Sequence, residues 1–238
     1  MEERRWDRIG AFAGIAVVVL SILATFMYPQ EPRIDSSAAT TLAWVHNHRT
    51  GIQAGMILGV FAAGVFVWFI GHLRHVLHRT EGGAETLSPI VFGSGIAVAV
   101  FAALGAVPVA LLAFLDAQPG GLQDGSIVRM LADLGVVLYG VGVVMTAVFA
   151  CSVAVAILRR EMGGAWLGWL SLLVAALNAI AVVTSLTFST YHGAAWGVPG
   201  WGAYLGFLVV VLAVAITMLR DAPTTTAHPE VILTDVTP

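Results

Sequence analysis

Apolar positions in this chain run in long blocks, and the polar positions cluster between them. Six blocks, at about 9–28, 52–73, 89–115, 134–158, 165–187 and 198–219, carry almost no charge. A bilayer core needs roughly 20 apolar residues in a helix to cross it, and each block is long enough. The pattern predicts an all-α, polytopic integral membrane protein: one six-helix transmembrane bundle over residues 1–220. Residues 221–238 are rich in Thr and Pro without apolar periodicity, and read as a disordered cytoplasmic tail. Met1–Arg8 followed by an apolar run has the outline of a signal peptide. The run is too long for one, and Ala24-Thr25-Phe26-Met27-Tyr28-Pro29 offers no small-residue cleavage site, so it stays as the first span.

Between spans, turn and cap chemistry marks the boundaries. Pro29 and Pro32 end the first helix. Asp35-Ser36-Ser37 reads as an N-cap for a short surface helix, Ala38–His48, that leads into span two with a bend expected at Gly51. Pro119-Gly120-Gly121 is a turn, and span four is expected to start outside the membrane, near Ser126. Pro108, preceded by Gly105, is expected to kink span three as packing geometry or as the wall of a cavity. Gly51, Gly55, Gly59 and Ala63 recur at spacing four, and Gly10/Gly14, Gly164/Gly168 and Gly202/Gly206 repeat the small-xxx-small pattern. Such faces let helices approach closely, within the chain, with other membrane subunits or with a second copy.

Composition sharpens the class. The chain is 58% hydrophobic and 11% charged, with mean hydropathy +0.90; soluble domains carry roughly 25% charged residues. Membrane lipids are the expected surroundings. The net charge of −3 comes without any basic block, which excludes nucleic acid as a partner. All eleven basic residues are Arg, and with abundant Ala, Gly and Val this points to a GC-rich bacterium. Without Lys no Schiff base can form on a side-chain amine, which removes retinal and lysine-imine chemistry. The single cysteine, Cys151, lies within a span and reads as a packing residue.

Charge also sets the expected topology. Arg4, Arg5, Arg8, Arg74, Arg79, Arg159, Arg160 and Arg220 fall on one side, and Arg33, Arg49 and Arg129 on the other. The positive-inside rule then puts both termini in the cytoplasm of a cell with an inner (plasma) membrane, in agreement with an even number of spans. Trp6, Trp166 and Trp169 fall at the inner interface, and Tyr28, Trp44, Tyr191, Trp196 and Trp201 at the outer one.

Candidate chemistry is sparse. No Asp, Glu or Arg lies in the middle of a span, which argues against a proton-driven pump. Asn178, near the middle of span five, needs a partner, either another helix or a ligand. Thr146, Ser152 and Ser94 can bond back to their own helix carbonyls. The outer rim gathers His46, His48, Arg49 and Gln53 with Asp116, Asp133, Tyr191 and His192. Either the acids pair with Arg49 or Arg129 and fix helix ends, or His46 or His48 joins His192 and an Asp on a metal, or the group holds a polar ligand head. His46 and His48 are two apart, so on a helix they cannot face one ion. His72, His75 and His78 share a face on the inner side, where lipid headgroups are the simplest partners.

Three functions remain. The first is a non-enzymatic accessory subunit, or a binder of a lipid-like ligand between the helices. The second is a transporter of a small neutral solute through a cavity near Asn178 and Pro108. The third is a metal-dependent enzyme with its site at the outer rim. No residue set identifies a cofactor. Two segments, Trp44-Val45-His46-Asn47-His48-Arg49 leading into a Gly-rich span and Arg159-Arg160-Glu161 leading to Gly164-Ala165-Trp166-Leu167-Gly168-Trp169-Leu170, together with the span layout, resemble uncharacterised bacterial multi-span proteins of a domain-of-unknown-function family. That resemblance implies a helical membrane domain and carries no activity.

Overall fold

The computed structural model describes residues 2–32, 36–80, 87–121, 124–160, 164–187 and 198–220. They form six helices: α1 (Glu2–Met27), α2 (Ala38–Thr80), α3 (Leu87–Asp116), α4 (Gly125–Arg160), α5 (Ala165–Thr187) and α6 (Val198–Arg220). There is no strand among the described residues. All six are long and apolar enough to cross a membrane, which makes this a multi-pass membrane protein. The segment 221–238, expected as a disordered tail, lies outside the described residues.

Each helix packs on its sequence neighbours, and α1 also packs on α6, which closes the bundle into a ring; α2 and α4 touch across it. Neighbours run antiparallel: Gly14 of α1 lies against Ala215 of α6, while Thr25 of α1 reaches Tyr204. The start of α1 and the end of α6 therefore lie at one end of the bundle, here the terminal end. The end of α1, the start of α2, the end of α3, the start of α4, the end of α5 and the start of α6 lie at the other, the loop end.

Local chemistry fixes the helix ends. Ser37 caps α2, its Oγ accepting from the Thr40 amide at 3.2 Å. Asp124 caps α4, its Oδ1 accepting from the Ser126 amide at 2.8 Å and the Ser126 hydroxyl at 2.6 Å. Gln118-Pro119-Gly120-Gly121 closes a turn, with the Gly121 amide on the Gln118 carbonyl at 2.9 Å. Gly120 has φ +94°, which with Pro before it matches a type II turn. The surface helix and span two are a single 43-residue α2 that runs through Gly51. At about 1.5 Å per residue it exceeds a ~30 Å bilayer core, so its first turns project beyond the loop end. Likewise, α3 is continuous through Pro108.

Glycine lets these helices meet. A Cβ on Gly10 would stand 2.4 Å from His72 Cβ, one on Gly168 2.5 Å from Leu158 Cγ, and one on Gly206 2.7 Å from Val174 Cγ2. Real Cβ contacts are never that short, so these glycines are sites of obligatory close approach. Between lipid-immersed helices such packing replaces the hydrophobic drive that water would supply. The terminal half is filled by a core of Phe69, Ile70, Leu73, Leu77, Phe149 and Ile157 among others. Phe66 stacks on Phe69 (centroids 5.9 Å apart) and meets Phe149 (5.5 Å) and Phe207 (5.6 Å) edge-on. A smaller cluster of Val45, Ile52, Leu112, Val128 and Leu131 ties α2, α3 and α4 together at the loop end. Phe12, Phe26, Phe61 and Trp169 are exposed on the outside, as a lipid-facing surface requires.

Candidate functional site

Between these two cores the bundle is not filled. A half-open cavity of about 230 Å³ lies among the helices and takes walls from all six. Val17, Ser21 and Ala24 come from α1, and Gly59, Ala62 and Phe66 from α2. Helix α3 adds Val98 and Phe101, and α4 adds Tyr139, Gly140 and Thr146. Asn178 and Ala181 of α5 face Tyr204 and Phe207 of α6 across it. Phe66 and Phe207, of the aromatic cluster, stand on its terminal side. No Asp, Glu, Arg or His lines it among the described residues.

Small residues create the space. A Cβ at Gly59 or Gly140 would meet nothing within 4 Å. Gly51 and Gly55, on the same stripe as Gly59, do meet neighbours: a Cβ there would come within 3.0 Å of the Met27 carbonyl and 2.8 Å of Tyr28 Cβ. One repeat therefore packs at its start and opens a cavity further on.

Asn178 is 3% exposed. Its Nδ2 donates to the Val174 carbonyl of its own helix at 2.8 Å, and no other hydrogen bond reaches it among the described residues. Among the described residues, nothing bonds the amide oxygen or the second N–H. The interhelical polar contact is elsewhere. Thr25 Oγ1 donates to the Ser21 carbonyl at 2.8 Å, and Tyr204 Oη lies 2.9 Å from Thr25 Oγ1 and 3.1 Å from the Ser21 carbonyl. Thr146 donates to the Gly142 carbonyl at 2.9 Å, and Ser94 and Ser152 bond back within their helices as expected. Pro108 and Gly105 are not in the cavity wall. They pack on α4, where a Cβ at Gly135 would lie 3.8 Å from Pro108 Cβ and 3.7 Å from the Gly105 carbonyl.

The rim at the loop end separates into local pairs. His46 Nδ1 lies 3.3 Å from Asp116 Oδ2, the histidine side chain 72% exposed and the aspartate 9%. His48 Nδ1 turns to the Trp44 carbonyl of its own helix at 2.9 Å. Asp133 accepts both its bonds from Arg129 Nε at 3.1 Å, and Arg129 Nη1 also donates to the Ser36 carbonyl at 3.2 Å. Gln53 is exposed. Tyr28 donates to Glu31, and burial, reinforced by that carboxylate, pushes its hydroxyl well above its ordinary value. Among the described residues no three His, Cys, Asp or Glu side chains gather where a metal could be held. Tyr191 and His192 lie outside the described residues. At the terminal end, His72 Nδ1 donates to the Trp68 carbonyl (3.0 Å) and its ring stacks on Trp68, while His75 and His78 are exposed.

Sequence reasoning singled out Asn178 but missed Tyr204, Ser21 and Gly59 as parts of one site. Tyr204 sits deeper than the interfacial aromatics around it, a signal visible only once α6 has a start. No protein-family model, curated protein or solved structure matches this chain.

Proposed function

We propose that this chain is a non-enzymatic membrane protein that binds a small lipid-like molecule inside its helix bundle. It acts as a free-standing binder or as the accessory subunit of a larger assembly, in the inner (plasma) membrane with both termini cytoplasmic. One observation carries the reading: a largely apolar cavity walled by all six helices, with a buried and only partly bonded asparagine. Ligand sites of this kind are concave, apolar and marked by a few placed polar groups. Enzymatic chemistry at the rim draws less support, because His48 and Asp133 are committed to Trp44 and Arg129.

Transport of a small neutral solute is the second reading, favoured by the same cavity. It requires Phe66, Phe149 and Phe207 to part and open a path to the terminal end, and would appear as saturable, protein-dependent movement of the ligand across vesicle membranes.

The test is extraction of protein purified from its native membrane, followed by mass spectrometry, beside the Gly59→Leu variant prepared identically. A compound enriched in the wild type and depleted in the variant is the expected result. Identical extracts from the two would overturn the reading.

A further inference from the structure

Resting on that reading, we infer that the cavity selects a neutral amphiphile headed by a hydroxyl group, an alcohol rather than a ketone, an acid or a plain hydrocarbon. The argument is a count of donors and acceptors. The buried Asn178 amide spends one N–H on the Val174 carbonyl, and among the described residues nothing takes its oxygen or its second N–H. Thr146 gives its hydroxyl proton to the Gly142 carbonyl. Thr25 gives its proton to the Ser21 carbonyl, so the proton of Tyr204 goes to that carbonyl or to Thr25; either way it stays within the protein. Thr146 and Tyr204 therefore present only lone pairs to a guest. The Asn178 oxygen adds a further acceptor, while the second Asn178 N–H and the Ser21 hydroxyl are the wall's donors; an alcohol, a ketone or an aldehyde can accept from those donors, so what sets the alcohol apart is the bond it gives to the acceptors.

Charge and size narrow the class further. With no ionised group in the walls, a carboxylate or ammonium would be buried without a counter-charge, at a large cost. An apolar cavity of ~150 Å³ accommodates benzene, so about 230 Å³ accommodates roughly nine non-hydrogen atoms. Octan-1-ol has that size. Its hydroxyl can donate to Asn178 Oδ1 while its chain lies along Ala62, Ala181 and the Phe207 ring. Octanal has the same number of heavy atoms but can only accept, and nonane can do neither.

The experiment uses full-length protein in lipid nanodiscs and an octan-1-ol carrying a photoreactive diazirine. Labelled positions are mapped by mass spectrometry, with octan-1-ol, octanal and nonane as competitors at matched membrane concentrations. Labelling is expected on cavity-wall residues, with octan-1-ol protecting at about fivefold lower concentration than octanal or nonane, as one added hydrogen bond implies. In Asn178→Leu, which leaves only the Thr146 and Tyr204 lone pairs, the margin of octan-1-ol over octanal and nonane should shrink while labelling persists. Equal protection by all three in the wild type would overturn the hydroxyl requirement and leave the binder reading standing. Labelling confined to lipid-facing residues would overturn both. An alcohol margin undiminished in Asn178→Leu would also overturn the inference, and the wild-type competition decides the matter even if that variant does not fold.

Discussion

Replacing Gly59 by leucine fills the cavity from its α2 side. Nothing lies within 4 Å of a Cβ at this position, so the new side chain enters space instead of a neighbour. Four added carbons at roughly 30 Å³ each occupy on the order of 100 Å³, against a cavity of about 230 Å³. At about 24 cal/mol per Å³ of cavity removed, the gain is roughly 2.5 kcal/mol. Leucine also favours the helix over glycine by up to about 0.8 kcal/mol. Lost rotamer freedom and imperfect fit take back part of this, which leaves a net stabilisation of about 1–3 kcal/mol in ligand-free protein. The assay is reversible unfolding in mixed micelles, followed by near-ultraviolet circular dichroism, with and without octan-1-ol. The alcohol should stabilise the wild type and not the variant, because a ligand stabilises only the state that binds it. A variant destabilised by more than about 1 kcal/mol without ligand would refute the reasoning, since it would mean the space beside Gly59 is already filled.

The remaining predictions concern packing, caps and the rim. Gly10→Ala forces a Cβ to 2.4 Å from His72 Cβ and should cost about 1–3 kcal/mol in the same unfolding assay, although alanine is the better helix former. Phe149→Ala, which opens the aromatic cluster shared with Phe66 and Phe207, should cost about 3–5 kcal/mol. The Asp124 carboxyl is held below its ordinary 3.8 by the Ser126 hydroxyl and amide. Its cap is thus fully present above pH 3.8 and is lost as the pH falls through the lowered value; hydrogen exchange over the first turn of α4 should quicken there, and Asp124→Ala should abolish that acid step. Asp133→Ala breaks a half-exposed pair with Arg129 and should change stability by no more than about 1 kcal/mol.

The six spans are legible because a membrane helix announces itself by length and apolarity alone, without any need to know its neighbours. Where a polar segment stays helical outside the membrane, cap and turn residues mark its start instead. The apolar runs begin at 52 and 134, while α2 and α4 begin at Ala38 and Gly125, where Asp35-Ser36-Ser37 and the turn before Ser126 pointed and where Ser37 and Asp124 cap them. Gly51, where a bend was expected, is also a point of contact, with the Met27 carbonyl close against it. The site is only half legible. Asn178 stands out as the one amide at mid-span, but whether it faces a helix or a void depends on the rotation of five other helices. Gly59 and Gly55 are equivalent in sequence and opposite in the bundle, one bordering a cavity and the other packed on Tyr28. Pro108 was a plausible cavity residue until the α3–α4 register set it against Gly135.

Xenon tests the central claim most directly, since it enters dry apolar cavities and marks them by its electron density. In crystals pressurised with the gas, the account predicts a xenon site between Phe66, Phe207 and Asn178, absent in Gly59→Leu. Side chains packed through that volume, with no xenon in it, would contradict the account.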